Sequence, residues 1–318
     1  MKTKITNVSV VIPLYNKERH IKRAVNSVIG QTYKCFELII VNDGSTDNSL
    51  MKAEGIKDER IRIINQENSG ESAARNRGIE EAKHDLIAFL DADDQWEPKC
   101  LENLVRVAEK YPHAGIIGTP FKRVNKKGET IYPELKSVPE EEGIIDNYFK
   151  AVLDCNPICM SSIAVRKEVF DQLGGFTVGM HRGADGVMLS KIALNYPVAF
   201  INNFLATVYL NADNRVSSKG ELIHDFPILE YINSLDKELE EEEYYYIREV
   251  VNKWYLKLAK RCIRIGDKKQ AKQFISQAKA TKLYRHIYTR RKIDLYLSYP
   301  LINRLAGIWR KIKKFRFS

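Results

Sequence analysis

No run in the 318 residues is long and apolar enough for a membrane-spanning helix, and the opening MKTKITNVSVVIPLYN has no signal-peptide cleavage pattern. Cysteine is sparse. The five residues (Cys35, Cys100, Cys155, Cys159 and Cys262) are odd in number and scattered, which speaks against a disulfide framework. Cys155 and Cys159 have no second pair and no histidine cluster, so they read as structural rather than zinc-binding. A reducing cytoplasm is the expected home. With 17 glycines and 10 prolines, collagen-like composition is excluded, and 44% hydrophobic and 29% charged residues argue against a wholly disordered chain. No G-x-G-x-x-G follows the first apolar run, which disfavours a dehydrogenase.

What is present is charge of one sign, unevenly spread. The net charge is +10, yet residues 251–318 hold twenty Lys/Arg against only Asp267 and Asp294, leaving the rest of the chain at −8. A mildly acidic body with a basic tail is not the pattern of a nucleic-acid binder, and no nucleic-acid partner is expected. Within the tail, Leu301, Leu305, Ile308, Ile312 and Phe315 recur at helical spacing beside Trp309, among many Lys and Arg. Such a helix suits the surface of an anionic membrane, and it equally suits packing on protein. Both readings stand at this point, with a peripheral place at the inner face of the cell membrane as the corollary of the first.

The first hundred residues alternate strand-like and helical patterns. Strands are predicted over 8–12, 36–41, 61–64 and 85–90, with Pro13 ending the first, and helices over 18–31, after the 42–47 loop, and over 69–82. Continuous apolar strands between helices imply a parallel sheet covered on both faces, whose ligands bind beyond the carboxyl ends of the strands. Further on, a helix over 101–110, a strand over 115–118, a polar Lys/Glu-rich loop over 122–142, a strand over 161–165 and a helix over 185–196 are expected, then strands over 198–201 and 205–209. The chain beyond about residue 221 reads as helical. Two regions follow: 1–220, with halves 1–100 and 101–220, and a helical, basic 221–318.

The strand ends carry the chemistry. Asp91 and Asp93 are carboxylates one residue apart after an apolar strand, hard oxygen donors of the kind that hold Mg²⁺ or Mn²⁺; an acidic turn capping the next helix is the plainer account. As a solvent-facing carboxylate, Asp93 is expected to add little to stability. Asp43 lies in Val41-Asn-Asp-Gly-Ser-Thr-Asp47, where Gly44 allows a tight turn and Ser45 or Thr46 can cap the next helix. A plain turn explains the Gly and Ser but not Asp43. Arg75 and Arg77 lie in a helix-opening segment, and one of them reads as a surface charge.

Four segments in order, Val10-Val-Ile-Pro-Leu-Tyr-Asn16, Val41-Asn-Asp-Gly-Ser-Thr-Asp47, Asn68-Ser-Gly-Glu-Ser-Ala-Ala-Arg-Asn-Arg-Gly78 and Phe89-Leu-Asp-Ala-Asp-Asp94, make the sequence resemble the inverting, nucleotide-sugar-dependent glycosyltransferases of family 2. The resemblance implies a GT-A fold, an α/β Rossmann-like, mostly parallel sheet flanked by helices. The first half would bind the nucleotide and the second the acceptor. It also implies a nucleoside diphosphate sugar (UDP as the carrier) as donor and a glycan or lipid-linked saccharide as acceptor, as in polysaccharide biosynthesis. By that likeness Pro13 and Tyr15 line the base pocket, Asp43 contacts the nucleoside, Arg75 lies in the same pocket, Asp91 faces the ribose and Asp93 holds Mn²⁺ or Mg²⁺. Family members open a later helix with Glu-Asp after a Gly-Gly-Phe turn. Here Gly174-Gly-Phe176 is followed by Ala184-Asp185, which keeps the aspartate expected to act as catalytic base and loses the glutamate. A non-catalytic nucleotide-sugar or carbohydrate-binding module and a sugar nucleotidyltransferase are the alternatives.

Overall fold

The computed structural model describes residues 5, 7–180, 183–212, 231, 239–278 and 280–296. Its first half runs β1 (Val8–Leu14), α1 (Ile21–Ile29), β2 (Phe36–Asp43), α2 (Ser49–Glu54), β3 (Ile61–Gln66), α3 (Glu71–Glu81), β4 (Leu86–Phe89), β5 (Gln95–Trp96) and α4 (Cys100–Lys110). Next come β6 (Ile116–Gly118), β7 (Phe121–Val124), β8 (Thr130–Ile131), β9 (Glu142–Ile144) and α5 (Tyr148–Asp154). β10 (Ile163–Arg166), α6 (Lys167–Leu173), α7 (Ala184–Asn195), β11 (Val198–Ile201) and β12 (Ala206–Tyr209) follow.

Eight strands form one sheet in the order β3-β2-β1-β4-β10-β6-β11-β9. β1, β2, β3, β4, β6 and β11 point one way, and β10 and β9 run against them. All seven β1 residues are buried, because helices cover both faces of this central strand. Pro13 does not end β1. It sits past the last β1–β4 pair, Val11 with Phe89, where a missing N–H removes no bond to β4. The chain reverses its order of strand addition between β1 and β4, so the carboxyl ends of those strands and of β2 open on one crevice.

The stretch 122–142 is not the loop its polarity suggests. β7 and β8 form an antiparallel pair there, and β7 also pairs with β12, which pairs with β5 in a second, four-stranded sheet. Half-exposed strands need no apolar run, which is why their pattern gave no strand signal. The helices α5 and α6 are likewise unannounced by the sequence reading.

By contact the chain divides into two compact units, residues 1–219 with 230–233, and 220–229 with 234–318. In the second, α8 (Glu241–Ile265) is followed by α9 (Lys268–Gln277) and α10 (Arg285–Asp294). Gly266, at φ 88°, ends α8, and the Asp267 carboxylate accepts a bond from the Gln270 N–H to open α9. Tyr255 and Phe274 stack between these helices, and the Thr281 hydroxyl donates to buried Glu249. The amphipathic segment 301–315 lies outside the described residues, as does most of 213–238. No helix among the described residues is long and apolar enough to cross a membrane.

The seat of α3 on the sheet is tight. A Cβ added to Gly78 would stand 2.3 Å from Cγ1 of Val11, itself wholly buried in β1. Replacing glycine within a helix gains up to about 1 kcal/mol of propensity, whereas overpacking a filled core costs about 1–3 kcal/mol. Gly78→Val, with further atoms to place and a β-branch, should therefore unfold at a distinctly lower urea concentration. A midpoint equal to that of wild type would show that α3 can shift at no cost.

Candidate active site

The first two loops at the crevice are laced together by side chains. Asn16, at φ 49°, takes a left-handed backbone that asparagine tolerates. Its Oδ1 accepts from the N–H groups of Thr46 (2.8 Å) and Asp47 (3.3 Å), and its own N–H donates to Ser45 Oγ (3.2 Å). The Lys17 N–H donates to Ser49 Oγ (2.6 Å), and the Glu18 N–H to Asp47 Oδ2 (3.2 Å). Ser45 and Thr46 thus bind the neighbouring loop rather than capping α2. Asp47 serves the start of that helix, its Oδ1 accepting from the Ser49 N–H at 2.9 Å. α1 begins only after these contacts, at Ile21.

Asp43 closes β2 and is almost fully buried. Its carboxylate accepts from Gln66 Nε2 (2.7 Å), the Ser69 N–H (2.9 Å) and the Gly70 N–H (2.9 Å), and so pins the turn that opens α3. That supplies the structural need for an aspartate which a simple turn did not. Gly44 beside it has φ +67°, and a Cβ there would lie 2.9 Å from the Asn68 nitrogen. Tyr15 stands exposed at the rim, whereas Pro13 is packed inside β1.

Arg75 is the centre of the arrangement. Its side chain is 1% exposed, and its guanidinium bonds are to a trio of carboxylates rather than to Asp43. Nη1 donates to Asp185 Oδ1 at 2.7 Å, and Nη2 donates both to Asp91 Oδ1 at 2.8 Å and to Glu71. Burial alone would lower the Arg75 pKa, but Asp185, Glu71 and Asp91 together outweigh it and hold the guanidinium protonated. The next residue, Asn76, reaches the Gly-Gly-Phe turn: Oδ1 accepts from the Phe176 N–H (2.7 Å) and Nδ2 donates to the Phe176 carbonyl (2.8 Å). Phe176 packs edge-on against Phe89 of β4. Arg77 pairs with Glu81 and is the surface charge of the two arginines.

The turn after β4 is anchored from several sides. Asp94 is buried; Ser161 Oγ donates to its Oδ2 at 2.6 Å and the Tyr209 N–H to its Oδ1 at 3.1 Å. Ser161 Oγ also accepts from the Asp91 N–H (3.1 Å), and the Ser161 carbonyl accepts from Trp96 Nε1 (2.7 Å). Asp93 is not solvent-facing. The residue is 9% exposed, and its Oδ2 meets Lys17 Nζ at 2.8 Å.

Asp91, Asp93 and Asp94 offer oxygens within 4.8 Å of one another, a hard donor set suited to Mg²⁺ or Mn²⁺. Asp94 is spent on Ser161 and Tyr209, and burial, then the charges of Asp91 and Asp93, push its pKa well above the carboxylate range. The residues therefore fit a divalent cation through Asp93, with Asp91 beside it and Asp94 holding the turn.

The profile of glycosyl transferase family 2 matches residues 9–174, just over half of the sequence. The chain belongs to that family. Among its relatives, an uncharacterized glycosyltransferase of Rickettsia felis is 32% identical over 212 residues, 65% of this chain and 33% of that protein. Glycosyltransferase GlyA of Streptococcus pneumoniae is 31% identical over 211 residues, 62% of this chain and 30% of that protein. The match thus spans about a third of the length of these relatives. Among solved structures, residues 1–349 of S. aureus TarS in complex with UDP-GlcNAc superpose with a TM-score of 0.70 at 18% identity, covering 91% of this chain and 89% of that one. At that identity the likeness establishes the fold, the GT-A class of mixed α/β sheet.

Sequence reading missed four residues at this family 2 site: Glu71, Asn76, Ser161 and Lys17. Only Glu71 left a usable signal, a carboxylate four residues before an arginine on a helix. The Glu71 side chain is 41% exposed and that of Asp185 46%, so solvent reaches both although protein crowds them. Burial raises Asp185, Arg75 draws it back, and Asp91 raises it again. Glu71 is pushed up to about 7, by burial first, against the pull of Arg75 and with the push of Asp91, Asp185 and Asp93. A carboxyl raised from 4.5 binds its proton more tightly folded than unfolded, so its presence lowers stability as pH climbs from about 4.5 to about 7. Glu71→Gln removes that slope. Urea unfolding of the ligand-free protein at pH 5 and pH 8 should show the variant gaining on wild type at the higher pH; a pH-independent difference would refute the raised carboxyl.

Proposed function

We propose that this chain transfers a sugar from a nucleoside diphosphate sugar, with UDP as the carrier, to a hydroxyl of a glycan or lipid-linked saccharide, inverting the anomeric centre. The observation that carries the reading is the single buried guanidinium of Arg75 joining Asp91, at the end of β4, to Asp185, at the start of α7. A donor-side carboxylate and a base are thereby held at a fixed separation. TarS, a structural neighbour, was crystallised with UDP-GlcNAc, which supports a uridine nucleotide sugar as the first donor to test.

In this reading the nucleotide lies over the ends of β1 and β2, with Tyr15 stacking on the base beside Pro13 and with Asp43 fixing the 69–70 turn beneath the nucleoside. Asp91 faces the ribose. Asp93 would hold Mg²⁺ or Mn²⁺, which when bound neutralises charge developing on the leaving diphosphate. The acceptor hydroxyl gives its proton to Asp185. Its oxygen bonds to the anomeric carbon, and the carbon–oxygen bond to the diphosphate breaks with its electron pair leaving on the nucleotide. Arg75 engages Asp185 Oδ1, so Oδ2 is the oxygen that takes the proton. The raised pKa of Asp185 suits that role, since a more basic carboxylate accepts a proton more readily. A single base and a single displacement account for inversion.

Two substitutions separate the roles. Asp185→Asn should keep nucleotide-sugar affinity and lose about 10²–10⁴ in rate. Asp93→Ala should abolish metal-dependent donor binding and also lower stability, because it removes the Lys17–Asp93 ion pair from a largely buried turn. Sugar nucleotides screened with Mn²⁺ by thermal shift, then by nucleotide release, supply the donor for these assays. Turnover unchanged in both variants would remove the reading.

The same reading places the chain at an anionic membrane surface, where a lipid-linked acceptor is confined. The basic composition of residues 251–318 supports it. The full chain should sediment with anionic vesicles at low salt and be released at high salt, while a chain ending before Tyr299 should not sediment. Full-length protein remaining in the supernatant would overturn this placement.

A further inference from the structure

The carboxylate at the centre of the cluster that no step of the proposed transfer uses is Glu71. Asp91 and Asp185 already exceed the single positive charge of Arg75, and Glu71 adds a third negative group to the same guanidinium. Its side chain stays 41% exposed, so it fills no core, and burial of the carboxyl, with the charges of Asp91, Asp185 and Asp93 added, pushes it up to about 7 against the pull of Arg75. As a contribution to stability it is a poor choice. Its location is informative in another way: among the three carboxylates, it alone shares α3 with Arg75.

We propose that Glu71 is a positioning residue for the transfer step, holding the Arg75 guanidinium from within its own helix so that Nη1 meets Asp185 and Nη2 meets Asp91 at the same time. The inference rests on the transferase reading given above. An arginine side chain carries about 2 kcal/mol of rotamer entropy, which must be overcome to aim its fork. Asp91 and Asp185 sit on separate elements, the turn after β4 and the first turn of α7, and neither fixes Arg75 relative to α3. A glutamate four residues towards the N-terminus does, in the orientation that suits a helix. The helix that carries Asp185 opens with Ala184, buried and without a polar group, so α7 offers Arg75 one carboxylate only. Glu71 brings a further carboxylate to that guanidinium from Arg75's own helix, α3. Once Arg75 is aimed, Asp185 is held by Oδ1 with Oδ2 directed by the fork, and a misplacement of about 1 Å at such a group costs about 100-fold in rate.

The test uses Glu71→Gln, Glu71→Ala and Glu71→Asp in the full chain. Affinity for UDP with Mn²⁺, measured by calorimetry, should change far less than kcat in all three. The Gln and Ala variants should lose about 10–100-fold in kcat with a much smaller change in donor KM. Glu71→Asp, which keeps a carboxylate on the helix, should recover part of the loss. Wild-type kcat in the Gln variant overturns the proposal, as does a joint collapse of kcat, KM and UDP affinity with Asp no better than Ala, the signature of a merely structural residue. A second readout needs no donor. In protein labelled with ¹⁵N-arginine, the two Nη signals of Arg75 should be resolved in wild type, because rotation about the Cζ–Nε bond is blocked, and merged in the Gln and Ala variants. Signals that stay resolved without Glu71 overturn the positioning role. Failure of wild type to transfer from any sugar nucleotide fails the transferase reading, and this proposal with it, and is seen before any variant is made.

Discussion

A buried guanidinium must find carboxylates, and this fold is arranged around that requirement. Removing Arg75 from water is tolerable only because three acidic groups from three elements reach it. Satisfying it ties α3 to the turn after β4 and to the start of α7, elements separated by up to 110 positions in sequence. The neighbouring Asn76 extends the tie to the Gly-Gly-Phe turn through both atoms of its amide. One short segment of α3 therefore holds Asp91 and the candidate base Asp185 in a common frame. Its close seat on β1 through Gly78 transmits that frame to the centre of the sheet.

The strand ends around this frame are bonded to one another for a related reason. Backbone groups that leave a sheet need partners, and here side chains of the adjacent loops provide them. Asn16 serves the loop after β2, Asp43 serves the turn before α3, and Ser161 serves the turn after β4. Each of these polar residues satisfies a loop that is not its own. The result is a set of strand ends whose loops are cross-bonded to one another by side chains. Lys17 and Arg75 set two positive charges among the acids of that crevice, so the aspartates are not left to repel one another unopposed.

Much of this was legible without coordinates. β1 and β2 announce themselves as apolar runs because both faces of a central parallel strand are covered, and the strand-end aspartates follow directly from their order. The hairpin of β7 and β8 was not legible, since a partly exposed pair needs few apolar residues and its strand character comes from pairing with β12. Asp93 was misjudged as solvent-facing because nothing local in Asp91-Ala-Asp93 reveals that Lys17, 76 residues earlier, closes over it. Ser161 gave no signal at all: a serine before a short strand is unremarkable until it is seen bonded to Asp91 and Asp94.

The amino-acid order by itself determined the family, the alternation of strands and helices, and which carboxylates stand at strand ends, because those properties depend on periodicity and short motifs along the chain. It also determined that positive charge gathers at the far end. Tertiary structure alone decided which acids share a cation. Asp43 went to the α3 turn, Asp94 to Ser161, Asp93 to Lys17, and Asp91, Asp185 and Glu71 to Arg75. An aspartate's partner is set by what folding carries within about 3 Å of its oxygens, and at that range distance along the chain conveys nothing.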